Sequence, residues 1–218
     1  MAMMELEFQS YRIAVRIKSI FRSINIPFIL KRFEQLGFLP MMQHPPINPL
    51  MDETSLGAKG SILKKGNSII DVNSDINSIG IQTNSIDDLL MDVNNFFNVI
   101  TEMLSDDKKI WFYEFQENIK LKNNGSIASK MKLHGDIIDK VSTFSKGTGM
   151  KLDISSIGFW STSNPDSENF MEIKIQPDIL DKKMTVYKVI FRNQKRKVFL
   201  DSVENVLSNI ALLSEITA

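Results

Sequence analysis

The sequence predicts an α+β fold: a mostly antiparallel sheet with helices on one side, organised as two similar halves. Three observations predict it. Residues 11–18, "YRIAVRIK", alternate strictly between apolar and polar, as a strand with one buried face must. Ile86 to Leu104 carry an apolar stripe at helical spacing, directly behind a serine suited to cap the helix. The order strand, helix, two or three strands, helix runs through the chain twice, and runs of strands flanked by helices argue for α+β.

The first strand has Tyr11, Ile13, Val15 and Ile17 on one face and Arg12, Ala14, Arg16 and Lys18 on the other. In "SINIPFILKRFEQLGF" Pro27 suits a first helical turn, Phe28, Leu30, Phe33 and Leu36 recur at helical spacing, and Gly37 suits the C-terminal cap. Residues 39–60 hold four prolines and are expected to form an insertion or long loop. "SILKKGNSII" predicts two short strands around a turn at Lys65–Gly66–Asn67, and Ile79 and Ile81 open another strand. In the helix capped by Ser85, the expected buried stripe is Ile86, Leu89, Leu90, Val93, Phe96, Phe97, Ile100, Met103 and Leu104, with Asp87 and Asp88 favourably placed in the first turn.

The second half opens with "KIWFYEFQENIKLK", a strand with Trp111, Tyr113, Phe115, Ile119 and Leu121 on one face and Glu117 interrupting. A helix is predicted over 127–144, weakened by Gly135 by roughly 1 kcal/mol relative to alanine. Strands follow over 150–161, 170–176 and 184–192, then a last helix over 197–213. The halves span 1–105 and 106–218, either as two units or as one continuous domain. The two "SIG" stretches, Ile76–Ser85 and Ile154–Ser163, do not mark a repeat, because they precede elements of different kind. The closing units align better: Val93 lies opposite Val203, Asn95 opposite Asn205, Phe97 opposite Leu207 and Ile100 opposite Ile210.

This order of elements, with the strand–glycine turn–strand "GSILKKGNSII", resembles the tandem repeat of the TATA-box-binding protein family; a pair of ferredoxin-like units describes it nearly as well. The resemblance covers most of the chain and implies one curved sheet with helices on its convex side. None of that family's DNA-intercalating phenylalanine pairs is matched here, so the resemblance speaks to fold.

Composition narrows the chemistry. Lys plus Arg and Asp plus Glu both number 26, so no global field steers the molecule to nucleic acid or anionic lipid, and such binding needs a local basic patch. The absence of cysteine excludes disulfides, thiolate zinc, iron–sulfur clusters and a cysteine nucleophile. "MAMMELEF" does not read as a signal peptide, no apolar run approaches the ~20 residues of a membrane helix, and a soluble cytoplasmic protein without membrane partners is expected. "DVNSDIN" starts like a calcium loop but has Ile76 where the turn needs glycine and Gln82 where a bidentate glutamate belongs, so it predicts a polar turn. His44 and His134 form no ligand pair, "KGTG" at 146–149 follows a helix where a phosphate loop would follow a strand, and there is no "GxSxG". No cofactor, metal or catalytic residue is expected.

Two basic strips stand out. Arg12, Arg16 and Lys18 share a strand face; Arg192, Lys195, Arg196 and Lys197 fall where a strand ends and the final helix begins, against the helix dipole, where an anion would compensate. If the strips adjoin they form a phosphate-binding surface, with Phe159 and Trp160 available for stacking unless they are core. The function expected first is a non-enzymatic binding or scaffold protein acting through a protein partner or self-association. The alternative is a nucleic-acid-binding, transcription-related protein using the two strips. An enzyme ranks third.

Overall fold

The computed structural model describes residues 6–18, 24–41, 59–122, 156–161, 168–178 and 184–205. Their elements are β1 (Leu6–Ile17), α1 (Ile26–Gln35), β2 (Leu39–Pro40), β3 (Lys59–Lys65), β4 (Ser68–Asn73), β5 (Ser78–Thr83), α2 (Ile86–Leu104), β6 (Ile110–Lys122), β7 (Ile157–Trp160), β8 (Phe170–Pro177) and β9 (Met184–Asn193). A helix over 196–205, α3, follows. The strands form one nine-stranded sheet in the order β2-β3-β4-β5-β1-β6-β9-β8-β7, and every described pair is antiparallel. The fold is therefore α+β with a large antiparallel sheet. The expected helix over 127–144, His44, His134, "KGTG", most of the proline-rich insertion and the end of the last helix lie outside the described residues.

One face of the sheet is covered. Ile13, Val15, Ile70, Val72, Ile79, Ile81, Tyr113 and Phe115 point to it and bury against Ile29 and Phe33 of α1, Phe96, Phe97 and Ile100 of α2, and Phe199 and Val203 of α3. Strand alternation placed Ile13 and Val15 of β1 and Tyr113 and Phe115 of β6 correctly. The helices begin and end where their caps dictate. Asn25 Oδ1 accepts from the Phe28 N–H at 3.0 Å, Ser85 Oγ accepts from the Asp88 N–H at 3.2 Å, and Gly37 takes a positive φ of 87° after α1. Gly66, at φ 56°, makes the tight turn between β3 and β4 that a side chain would strain. "DVNSDIN" forms the end of β4 and a single 3-10 turn at Ser74–Ile76, closed by Asn77 in the left-handed region.

Three sequence expectations are corrected. In α1 the buried residues are Ile26, Ile29 and Phe33, while Phe28, Leu30 and Leu36 are only partly buried. In α2 the buried arc is rotated away from Leu90, which is 42% exposed, toward Asp92 and Val99, which are 3% exposed. Asp92 tolerates burial because Ser68 donates to it at 2.8 Å and Lys65 at 3.0 Å, which ties α2 to the β3–β4 hairpin. In β6 a register shift between the pairs Arg16–Phe112 and Ile17–Ile110 makes Trp111 the extra residue. Ile110 joins the core in its place, and the Trp111 indole N–H donates to Glu168 at 2.9 Å.

Glu117 interrupts the covered face of β6, as its position in the alternation predicts. It lies opposite Tyr11 on β1 and Val189 on β9 and is fully buried. Gln9 donates to its Oε1 at 3.1 Å, while Oε2 finds no hydrogen-bond partner. Burial pushes its carboxyl up to about 7, against the smaller opposing effect of the Gln9 hydrogen bond.

Candidate binding surface

The other face of the sheet carries no described helix. Its side chains follow from the same alternation: Asp71 on β4, Ser78, Gly80 and Gln82 on β5, Arg12, Ala14 and Arg16 on β1, Phe112, Glu114, Gln116 and Asn118 on β6, Lys188, Ile190 and Arg192 on β9, Phe170, Glu172 and Lys174 on β8, and Gly158 and Trp160 on β7. We call it the open face; Ala14, Ser78, Phe112, Phe170 and Ile190 on it are buried, and Arg12, Arg16 and Arg192 are half-buried.

Arg12 does not stand free on it. Its guanidinium crosses β5 and pairs with Asp71 through Nε at 2.9 Å and a terminal nitrogen at 2.6 Å. Burial acts to lower its pKa, but the Asp71 hydrogen bonds and charge outweigh that and raise it. The path runs over Gly80: a Cβ built there would lie 2.7–2.8 Å from the guanidinium atoms. A Cβ at position 80 therefore requires the Arg12 guanidinium to move. Gly80→Ala is expected to displace Arg12 from Asp71 and lower stability by about 1–3 kcal/mol, the range for lost hydrogen bonds between charged groups. Urea unfolding checks this. The double variant with Arg12→Ala should cost clearly less than the two single changes added together, because both remove one interaction.

Arg192 is also engaged. It donates to Glu114 from Nε and lies over the rings of Phe112 at 5.1 Å and Phe170 at 5.5 Å. Arg16 faces the same cluster from β1, with Phe112 and Ser78 as its neighbours in register. Burial lowers its pKa first; Glu114 acts to raise it and Arg192 to lower it further. Arg16 holds no ion pair among the described residues.

The two predicted strips thus meet only in part. Arg12, Arg16 and Arg192 share the open face. Lys18 lies at the end of β1, half-buried, its N–H donating to the Lys109 carbonyl at 2.9 Å. Arg196 lies on the covered side, its guanidinium 4.6 Å from the Phe97 ring of α2. Lys195 and Lys197 are exposed at the start of α3, and the Lys195 N–H is capped by Asn193 at 2.8 Å.

Sequence reasoning did not single out a second cluster on the open face. Lys174 and Lys188 are directly opposed on β8 and β9. Like charges in direct opposition repel, and neither has an ion-pair partner among the described residues. Beside Lys174 on β7 is Gly158, and the indole of Trp160 lies over it: a Cβ at 158 would be 3.0 Å from the ring. Trp160 is 66% exposed and is not core. Alternation in 170–176 and 184–192 could have put both lysines on one face, but their opposition needs the β8–β9 register.

Among the described residues no group of three or more His, Asp or Glu side chains could hold a metal ion, and no helix is long and apolar enough to cross a membrane. No protein-family model matches the chain, and no curated protein sequence matches it.

Proposed function

We propose that the chain is a non-enzymatic binding protein whose working surface is the open face of the sheet and whose partner is polyanionic, nucleic acid in the first place. The observation that carries this is the division of charge on that face. The carboxylates Asp71 and Glu114 are engaged by Arg12 and Arg192, while three cations, Arg16, Lys174 and Lys188, and one carboxylate, Glu172, hold no ion pair among the described residues, which leaves an excess of positive charge. Unmatched cations on one surface gain by taking up phosphates, even in a chain of zero net charge.

On this reading the surface is shared by two similar halves, 1–105 and 106–218, arranged as in the TATA-box-binding protein family. The strand order is what supports that arrangement: β1 and β6 pair at the centre, with β5, β4 and β3 following outward on one side and β9, β8 and β7 on the other. A twofold axis through the Ile13–Phe115 pair carries Tyr11 onto Tyr113. It carries Thr83, opposite Tyr11, onto Asn193, opposite Tyr113. The same sequence offset, continued into the helices, matches Leu89 with Phe199 and Val93 with Val203, all buried.

The test is binding of DNA and RNA as a function of salt. Wild-type protein is expected to bind at low salt and lose affinity steeply as salt rises. Arg16→Ser should weaken binding and flatten the salt slope. The pair Lys195→Ser and Lys197→Ser serves as the comparison, and on the open-face reading it leaves affinity unchanged. Equal loss from that pair would move the site to the turn before α3. No binding of either nucleic acid at low salt would end the polyanion reading. Association with protein has one observation of its own: Leu90 and Met91 are exposed next to each other on α2, at 42% and 63%. Leu90→Ser with Met91→Ser should then abolish any self-association seen by sedimentation.

A further inference from the structure

We infer that the outer part of the open face, where Trp160 lies beside Lys174 and Lys188, is a nucleotide-binding subsite: the indole stacks a base and the two ammonium groups take its phosphate. This rests on the open-face reading above and names the ligand chemistry at one place on that face.

Three features of the structure converge there. The first is the indole. Trp160 sits on a four-residue strand at one end of the described sheet, and the edge of its ring approaches position 158, where there is no side chain. The ring edge overhangs the backbone at Gly158 and 66% of the residue meets solvent. A large aromatic surface left in water is the platform on which a planar π-system stacks, and every base has such a face.

The second is the charge beside it. Gly158, Lys174, Lys188 and Asn118 form one row across β7, β8, β9 and β6. The two lysines are directly opposed in that row, and their repulsion is relieved by an anion that bridges them. A phosphate has the charge and the acceptor oxygens to do so, and Asn118 adds an amide donor at the end of the row. The third is Glu172, which stands opposite Trp160 in the β7–β8 register. It places a hydrogen-bond acceptor beside the platform, where a base carrying an exocyclic amino group has a donor to offer. A ligand with a flat ring, an amino edge and a phosphate satisfies all three; inorganic phosphate satisfies only the second.

The ligand may reach the subsite free or as part of a single strand, and the experiment separates the two. Full-length protein is titrated at low salt with adenosine and cytidine monophosphates, with single-stranded oligonucleotides, and with inorganic phosphate. Tryptophan fluorescence is followed, and Trp160 is isolated by the variant Trp111→Phe. The expected result is quenching by the mononucleotides or the single strands. Trp160→Ala should weaken binding about tenfold, in line with the loss of one stacked base. Lys174→Ser with Lys188→Ser should weaken nucleotide and inorganic phosphate alike and reduce the salt slope. Binding of single strands with none of the mononucleotides would assign the subsite to a polymer; binding of both would assign it to either source. Unchanged affinity in Trp160→Ala, or quenching by inorganic phosphate equal to that by nucleotides, would overturn the subsite. If Arg16→Ser still weakens nucleic-acid binding in that case, the open-face reading survives without it. Circular dichroism and unfolding midpoints confirm that each variant is folded before its affinity is counted.

Discussion

Replacing Phe97 with alanine is expected to cost about 3–5 kcal/mol of unfolding free energy, the range for truncating a fully buried phenylalanine. Phe97 is 1% exposed and joins three elements of the core. Its ring meets Phe96 of α2 at 5.5 Å, Tyr113 of β6 at 5.3 Å and Phe199 of α3 at 6.4 Å, and the Arg196 guanidinium lies over it. Truncation therefore removes transfer free energy, leaves a cavity and takes away the aromatic seat of Arg196 at the same time. Leu90→Ala, on the same helix but at the rim of its buried arc, should change stability by no more than about 0.5 kcal/mol. Urea denaturation of the two variants reads the difference directly. Equal losses would mean that α2 is rotated from the position described.

The contrast between these two residues marks how far sequence reasoning reaches. Periodicity found α2 and most of its buried face, and the serine at position 85 located its start. It could not choose which flank of the stripe turns inward. That depended on Lys65 and Ser68 being in place to satisfy Asp92 across 24 and 27 positions of sequence. Strand faces were legible for the same reason: period-two alternation is local. Strand partners were not, because register is decided between segments far apart. Arg12 reads as a free cation in its own strand. Only the β1–β5 and β5–β4 pairings show that Asp71, 59 residues away, neutralises it.

The two glycines of the "SIG" stretches make the same point. Their neighbourhoods belong to different parts of the sheet, Gly80 on β5 near its centre and Gly158 on β7 at the end of the described strand order. As an alignment the similarity carries nothing. Physically the two positions have one feature in common: a large side chain approaches each across the open face, the Arg12 guanidinium in one case and the edge of the Trp160 ring in the other. A missing side chain is silent in composition and periodicity. Its meaning appears only when a neighbour is seen to occupy the space.

Glu117 offers the largest pH-dependent effect. Its folded-state pKa of about 7 lies above the ordinary value of 4.5, because a fully buried carboxylate loses solvation and its Oε2 has no compensating donor. The sign follows from proton binding. Between those two pH values the folded chain keeps the proton that the unfolded chain has given up, so stability falls as pH rises through this window and levels off above it. The whole effect is roughly 3 kcal/mol, from just under about 1.4 kcal/mol per pH unit across the window. Gln9 is the one side chain that donates to Glu117 among the described residues, and the Tyr11 hydroxyl in the facing strand, held up at about 12 by its own burial and by Glu117, stays protonated throughout. Glu117→Gln keeps the shape and removes the titration. The amide differs from the protonated acid in its hydrogen bonds, so the measured quantity is the slope of stability against pH and not its absolute value. Wild-type protein should lose stability relative to Glu117→Gln steadily from pH 5 to pH 7, and the difference should stay constant from there to pH 9. Parallel curves from pH 5 to 8 would show that Glu117 is ionised at no special cost, and that water or another donor reaches its second oxygen.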